Sequence, residues 1–117
     1  LNILSKIKKK IKKKDKVLVI LDSNHSTKHV LDELKYYSEL VTKNSFIVAC
    51  DGIQKKMKNA PRSKPDWETN NPITAIKKFL KGNKNFKIRE NNFIFNESKL
   101  SKNYVTYWPK AYLQKIK

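Results

Sequence analysis

The sequence predicts an α/β fold built on parallel neighbouring strands, and three observations carry that prediction. Val17–Leu21 and Ser45–Cys50 are apolar runs rich in β-branched residues, the pattern of strands covered on both faces in a parallel sheet. Between them Val30, Leu31, Leu34, Tyr37 and Leu40 recur at helical spacing. Each apolar run is followed by an acid, Asp22 after the first and Asp51 after the second.

The elements follow in order. Residues 1–14 place Leu4, Ile7 and Ile11 on one stripe with Lys filling the rest, a basic amphipathic helix. A surface helix packed on a sheet through that stripe is the favoured reading over one lying on a membrane or a nucleic acid. Asp15 and Lys16 make a turn into the first strand, Val17–Leu21. After "DSNHS", Ser26 or Thr27 caps the next helix. "VTKN" closes that helix, and "SFIVAC" is the second strand, followed by Asp51 and Gly52. A strand, helix, strand unit joins parallel neighbours by a right-handed crossover. Asp22 and Asp51 would then sit side by side at one sheet edge, on strands about 4.8 Å apart. In open α/β sheets that edge is where ligands bind.

Residues 53–71, with Pro61 and Pro65, read as a long loop. Asn71–Pro72 opens a helix whose apolar face is Ile73, Ile76, Phe79 and Leu80, and Gly82 stops it. "FKIRE" alternates as a strand with one wet face. "NNFIFNES" follows, then "NYVTYWP" as a short aromatic strand, and the last seven residues read as a basic tail. No internal repeat is visible.

A chain of 117 residues holds one small domain. Its longest apolar run is five residues, too short to span a bilayer. "LNILSKIKKKIKKK" has charge but neither a continuous apolar region nor a small-residue cleavage site, so a cytoplasmic location is expected. The single cysteine, Cys50, excludes an internal disulfide and a multi-cysteine zinc site. The net charge of +17 invites a nucleic-acid partner. Yet only Arg62 and Arg89 among 27 basic residues are Arg, and specific base or phosphate recognition favours Arg forks. A solvated basic surface is the preferred reading, and nucleic acid is not the expected partner.

The segment "LDSNHSTKHVLDELKYYSELVTKNSFIVACDGI", with "PRSKPDWETNNPITAIKKFL" and "FNESKLSKNYVTYWPKAYLQKI", resembles the cephalosporin hydroxylase-like family. That family includes rhamnosyl O-methyltransferases. The resemblance covers residues 16–117, leaving residues 1–14 as the preceding basic helix. It implies a Rossmann-like, class I S-adenosylmethionine-dependent methyltransferase fold, here a partial sheet with flanking helices: strands four to seven of the family sheet. The family's glycine-rich cofactor turn has no counterpart, because the only glycines, Gly52 and Gly82, both follow the second strand. The expectation is therefore a C-terminal half, with the cofactor-binding N-terminal half missing or supplied by a partner chain. The first residue is Leu rather than Met, which agrees with a start inside a longer protein.

The resemblance implies that Asp22 and Asp51 hold a magnesium ion near the transferred methyl. Paired carboxylates repel unless a cation or shared proton intervenes, and a hard divalent cation suits oxygen ligands. In the cephalosporin hydroxylase branch a further acid precedes the second Asp, and here Cys50 stands in its place. The competing reading is that one Asp caps a loop and no metal binds. His25, with Asp22 the catalytic candidate, lies where a base would take the proton of an acceptor hydroxyl. The competing reading has His25 hydrogen-bonding backbone at a helix start. His29 makes no convincing zinc pair with it, since no third ligand is evident. Trp67 is a lid over the acceptor or an anchor for its loop. Asn96, Glu97 and Ser98 line the acceptor pocket or build a turn.

The function expected of the intact protein is methyl transfer from S-adenosylmethionine to a hydroxyl of a sugar, glycolipid or other small molecule. This chain alone would be inactive. A homo-oligomer or a complementing chain is a possible arrangement. The family name suggests hydroxylation, but no two-His-one-carboxylate iron triad is present. The alternatives are a small basic module binding nucleic acid or an anionic surface, and an inactive fragment with an adhesive sheet edge.

Overall fold

The computed structural model describes residues 2–90 and 106–117. Helix α1 spans Asn2–Lys10, strand β1 Val19–Leu21, helix α2 Thr27–Tyr37 and strand β2 Phe46–Ala49. A short 3-10 helix, Gly52–Lys56, follows, then helix α3 Pro72–Gly82 and strands β3 Phe86–Ile88 and β4 Tyr112–Lys115. The four strands form one mixed sheet in the order β1-β2-β4-β3. β1 and β2 are parallel, with Val19 opposite Ile47 and Leu21 opposite Ala49. β4 runs antiparallel to both β2 and β3.

Helices α2 and α3 cover one face. Val30 and Leu34 of α2 and Ala75, Ile76 and Phe79 of α3 pack on Leu21, Ile47, Ala49, Phe86 and Leu113. Side chains two apart in a strand share a face, so Ile47 and Ala49 point to the helices and Val48 points away. On the second face Val48, Cys50 and Ala111 are buried together, with Phe46, Trp108 and Tyr112 against them.

Both helices start on side-chain caps. The Ser26 hydroxyl accepts from the His29 amide at 3.4 Å, and Asn71 Oδ1 accepts from the Thr74 amide at 3.0 Å. Asn71 also donates to the Trp67 and Glu68 carbonyls, at 2.8 and 3.0 Å. Thr27 ties the two helix starts together. Its amide donates to Asn70 Oδ1 at 2.8 Å, and its hydroxyl accepts from the Asn71 amide at 2.9 Å. The loop before α3 is thus fastened to the start of α2.

Several expectations are corrected. The last seven residues are not a tail: they hold β4, which pairs with β2 on one side and β3 on the other. Ala111 and Leu113 have no exposure. The charge that suggested a tail is partly structural, because Lys115 Nζ donates to the Val41 carbonyl at 2.8 Å and lies over the Phe86 ring. A long lysine stem buries its methylenes while its ammonium satisfies carbonyls after a helix end. Among the described residues β1 is not covered on both faces. It is an edge strand, and Leu18 and Ile20 are 52% and 56% exposed. Ile20 lies beside Val48 in the register, but the second-face cluster stops short of it.

Helix α1 ends at Lys10 rather than residue 14, because Asp15 closes a turn. Asp15 Oδ2 accepts from the Lys12 amide at 2.7 Å. Its Ile3 and Leu4 meet Tyr36 and Tyr37 of α2 around one hollow, so the helix packs beside α2. Within 53–71 the chain forms the 3-10 helix where a loop was expected. Gly52 lets the C-terminal segment pass close: a Cβ there would meet the Pro109 carbonyl oxygen at 2.9 Å. Thr106–Lys110 is bend and turn rather than strand. "NNFIFNES", with Asn96, Glu97 and Ser98, and the first residues of "NYVTYWP" lie outside the described residues.

Placing Leu113 at the sheet centre makes its truncation costly. Leu113→Ala should lower stability by about 3 kcal/mol in urea titration, whereas Ile20→Ala, on the open face, should stay within about 0.5 kcal/mol. Equal effects would contradict the strand order.

Candidate functional site

The parallel pairing of β1 and β2 carries both strand ends to the same edge. The Cys50 amide donates to the Leu21 carbonyl at 3.0 Å, extending the ladder one residue beyond β2. Asp22 leaves β1 at that point. Asp51 leaves β2 in the left-handed region, at φ 57° and ψ 28°, and turns the chain into the 3-10 helix. Asp is among the residues that tolerate this conformation. Between β1 and α2, Asn24 Oδ1 accepts from the Ser26 amide at 2.9 Å, a local turn that contains His25.

These turns converge. One donor atom from each of Asp22, His25 and Asp51 lies within 4.8 Å of the other two. His25 Nε2 faces Asp51 Oδ2 at 3.4 Å. Asp22 is exposed; His25 and Asp51 are half-buried. Among the described residues the Asp22 carboxylate has no hydrogen-bond or ion-pair partner, and the Asp51 carboxylate meets only His25. The cluster is a negative spot on a strongly basic chain. Cys50, just below it, records that field. Burial, then the charges of Asp22 and Asp51, push its thiol from the ordinary 9.0 up to about 11.

A cleft of about 340 Å³ opens beside the cluster. His25 forms part of its wall, with Asn24, Gln54, Lys64, Trp67 and Asn70. Trp67 sits there because its carbonyl is gripped by the buried Asn71 and its amide donates to the Lys64 carbonyl at 3.2 Å. Its backbone is thus held in the loop, and its side chain lines the cleft. His29 is turned away: its Nε2 lies 3.0 Å from Ser23 Oγ and 3.3 Å from Glu33 Oε1.

The cleft also contains residues that sequence reading passed over. Gln54 sits in the unanticipated 3-10 helix and carried no signal. Asn70 did carry one, since "NNP" places a second amide beside a helix cap, and its side chain bonds both the Thr27 amide and Asp66 Oδ2.

The family model for rhamnosyl O-methyltransferase/CmcI matches residues 1–116, the first helix included. The chain belongs to the rhamnosyl O-methyltransferase/CmcI family. No curated protein and no solved structure matches it. Membership places the chain with methyltransferases. No described helix is long and apolar enough to cross a membrane.

The donor set of the cluster fits a divalent cation, with two carboxylates and one imidazole able to approach a common point. Cys50 does not join it, being 1% exposed and held as a thiol. Its raised pKa has a consequence for pH. Between about pH 9 and 11 the folded chain keeps a proton that the unfolded chain releases, so stability falls as pH rises through that window. Iodoacetamide at pH 8 should leave Cys50 unlabelled in the folded chain and label it in urea. Labelling of folded protein at the rate of a free thiol would contradict the burial.

Proposed function

We propose that this chain is the acceptor-binding part of an S-adenosylmethionine-dependent O-methyltransferase acting on a hydroxyl of a sugar, glycolipid or other small molecule. The observation that carries the reading is the convergence of Asp22, His25 and Asp51 at the carboxyl ends of parallel strands, beside a polar cleft with one aromatic wall. The family supports the reaction class. The cleft supports the acceptor class. An aromatic face such as that of Trp67 packs the apolar side of a sugar ring, and Asn24, Gln54 and Asn70 supply donors and acceptors for hydroxyls.

When bound, S-adenosylmethionine supplies a methyl group on an already activated sulfonium. The chain's own residues then have two tasks. The cleft holds the acceptor so that its hydroxyl oxygen faces the methyl, which converts a collision into a positioned attack. The cluster takes charge of the hydroxyl proton, because its two carboxylates favour a positive charge beside them. Asp22 and Asp51 are the residues that would hold a divalent cation.

The cofactor is held by structure outside these 117 residues in this reading, since no glycine opens a turn beside β1. Among the described residues the edge of β1 is unpaired, and Leu18 and Ile20 are exposed beside it. A parallel strand added there, from upstream sequence or a complementing chain, would pair that edge and extend the sheet.

Calorimetry of this chain with S-adenosylmethionine should show no binding, and tight binding would contradict the division of labour. Labelled methyl transfer to rhamnosyl acceptors should appear when the polypeptide encoded immediately upstream is supplied. Asp51→Asn should then lower kcat by about 100-fold or more at an unchanged melting temperature. Full activity of that variant would remove the cluster from the mechanism.

A further inference from the structure

We propose that the acceptor is an acidic sugar, whose ring lies against Trp67 and whose carboxylate or phosphate group is held by the ammonium of Lys64. The inference deepens the proposed function and rests on its reading of the cleft as the acceptor site.

Three observations carry it. The first is a turn. The Trp67 amide donates to the Lys64 carbonyl at 3.2 Å, which closes Lys64, Pro65, Asp66 and Trp67 into one β-turn. The first and last of these residues, Lys64 and Trp67, both line the cleft. The turn is clamped on either side. After it, the wholly buried Asn71 donates to the Trp67 and Glu68 carbonyls at 2.8 and 3.0 Å. Before it, the Ser63 amide donates to the Ala60 carbonyl at 3.0 Å, and the Ser63 hydroxyl to the Lys58 carbonyl at 2.7 Å. The backbone that carries the aromatic face and the ammonium is therefore fixed before a ligand arrives, which lowers the ordering cost of binding.

The second is charge. No acid lines the cleft, whose basic side chains are Lys64 and His25. His25 faces Asp51. Among the described residues Lys64 makes no ion pair. The two acids nearest to it in sequence are engaged elsewhere. Asp66 Oδ2 accepts from Asn70 Nδ2 at 2.7 Å, and Glu68 faces Lys58 at 3.6 Å. An ammonium beside an aromatic face, with no counter-ion of its own, favours an anionic group on the ligand.

The third is polarity. Asp22 and Asp51 border the cleft through His25. Lys64 pairs with neither, so cation and acids meet the cleft at separate places. The acids repel the anionic group of the sugar and Lys64 attracts it. A ring stacked on Trp67 then takes one orientation, with a hydroxyl rather than the anion toward the cluster.

The test is nitrogen-15 NMR of the two tryptophan indoles, with the 117-residue chain titrated with glucuronate, glucose-6-phosphate and glucose. Trp108 is the internal control, because it packs on the second sheet face. The acidic sugars should move the Trp67 resonance, leave that of Trp108 in place, and bind about five-fold tighter than glucose, the size of an exposed ion pair. Lys64→Gln should erase that preference and leave glucose affinity within about two-fold, whereas Lys64→Arg should keep it. Lys87→Gln removes the same charge from an exposed position on β3 and should also keep it. Tighter binding of glucuronate assigns the held group as a carboxylate, and tighter binding of glucose-6-phosphate as a phosphate; either supports the inference. Equal affinity for all three sugars, or equal losses in Lys64→Gln and Lys87→Gln, overturns it and keeps the cleft as a sugar site. A Trp67 resonance unmoved by any of the three overturns the acceptor-site reading as well.

Discussion

The backbone ladder between β1 and β2 is the constraint on which the site depends. Parallel strands emit their chain ends in one direction, so two acids far apart in sequence arrive together. The register fixes the rest. With Leu21 opposite Ala49, and the Cys50 amide bonded to the Leu21 carbonyl, Asp22 and Asp51 leave the sheet at nearly the same level. A slip of one residue would turn every side chain of β1 to the other face and take Leu21 out of the core.

The scaffold around the ladder serves the same edge. Helices α2 and α3 both begin there, and their starts are joined through Thr27, Asn70 and Asn71. Asn71, wholly buried, caps α3 and grips the Trp67 carbonyl. One side chain thus fixes a helix start and a wall of the cleft. At the opposite end of the sheet the ties are of another kind, with Lys115 satisfying carbonyls after α2. The molecule is fastened by directed hydrogen bonds at both ends and by apolar packing between them.

Much of this was legible from the residues. The apolar runs and the helical period between them specify a strand–helix–strand unit, and "NNP" marks the start of α3 because cap and proline act locally. What escaped was set by tertiary context. "AYLQKIK" is too short and too basic to announce a central strand; only its neighbours β2 and β3 make it one. Val17–Leu21 looks doubly buried because composition cannot show that, among the described residues, Leu18 and Ile20 stand exposed on one sheet face. In the site, Asp22 and Asp51 were visible through strand topology and His25 through its place in "DSNHS". Gln54 and Lys64 reached the cleft through turns that no local pattern encodes.

The central claim is that two strand ends and a loop histidine share one point in space. Nuclear Overhauser contacts between the His25 ring protons and the Asp51 β-protons test it most directly, in the unmodified chain and without added metal. The account predicts clear cross-peaks, together with sequential-strand contacts linking Leu21 to Ala49 and Cys50. A His25 ring that contacts only its own turn, with Asp51 reporting different neighbours, would contradict it.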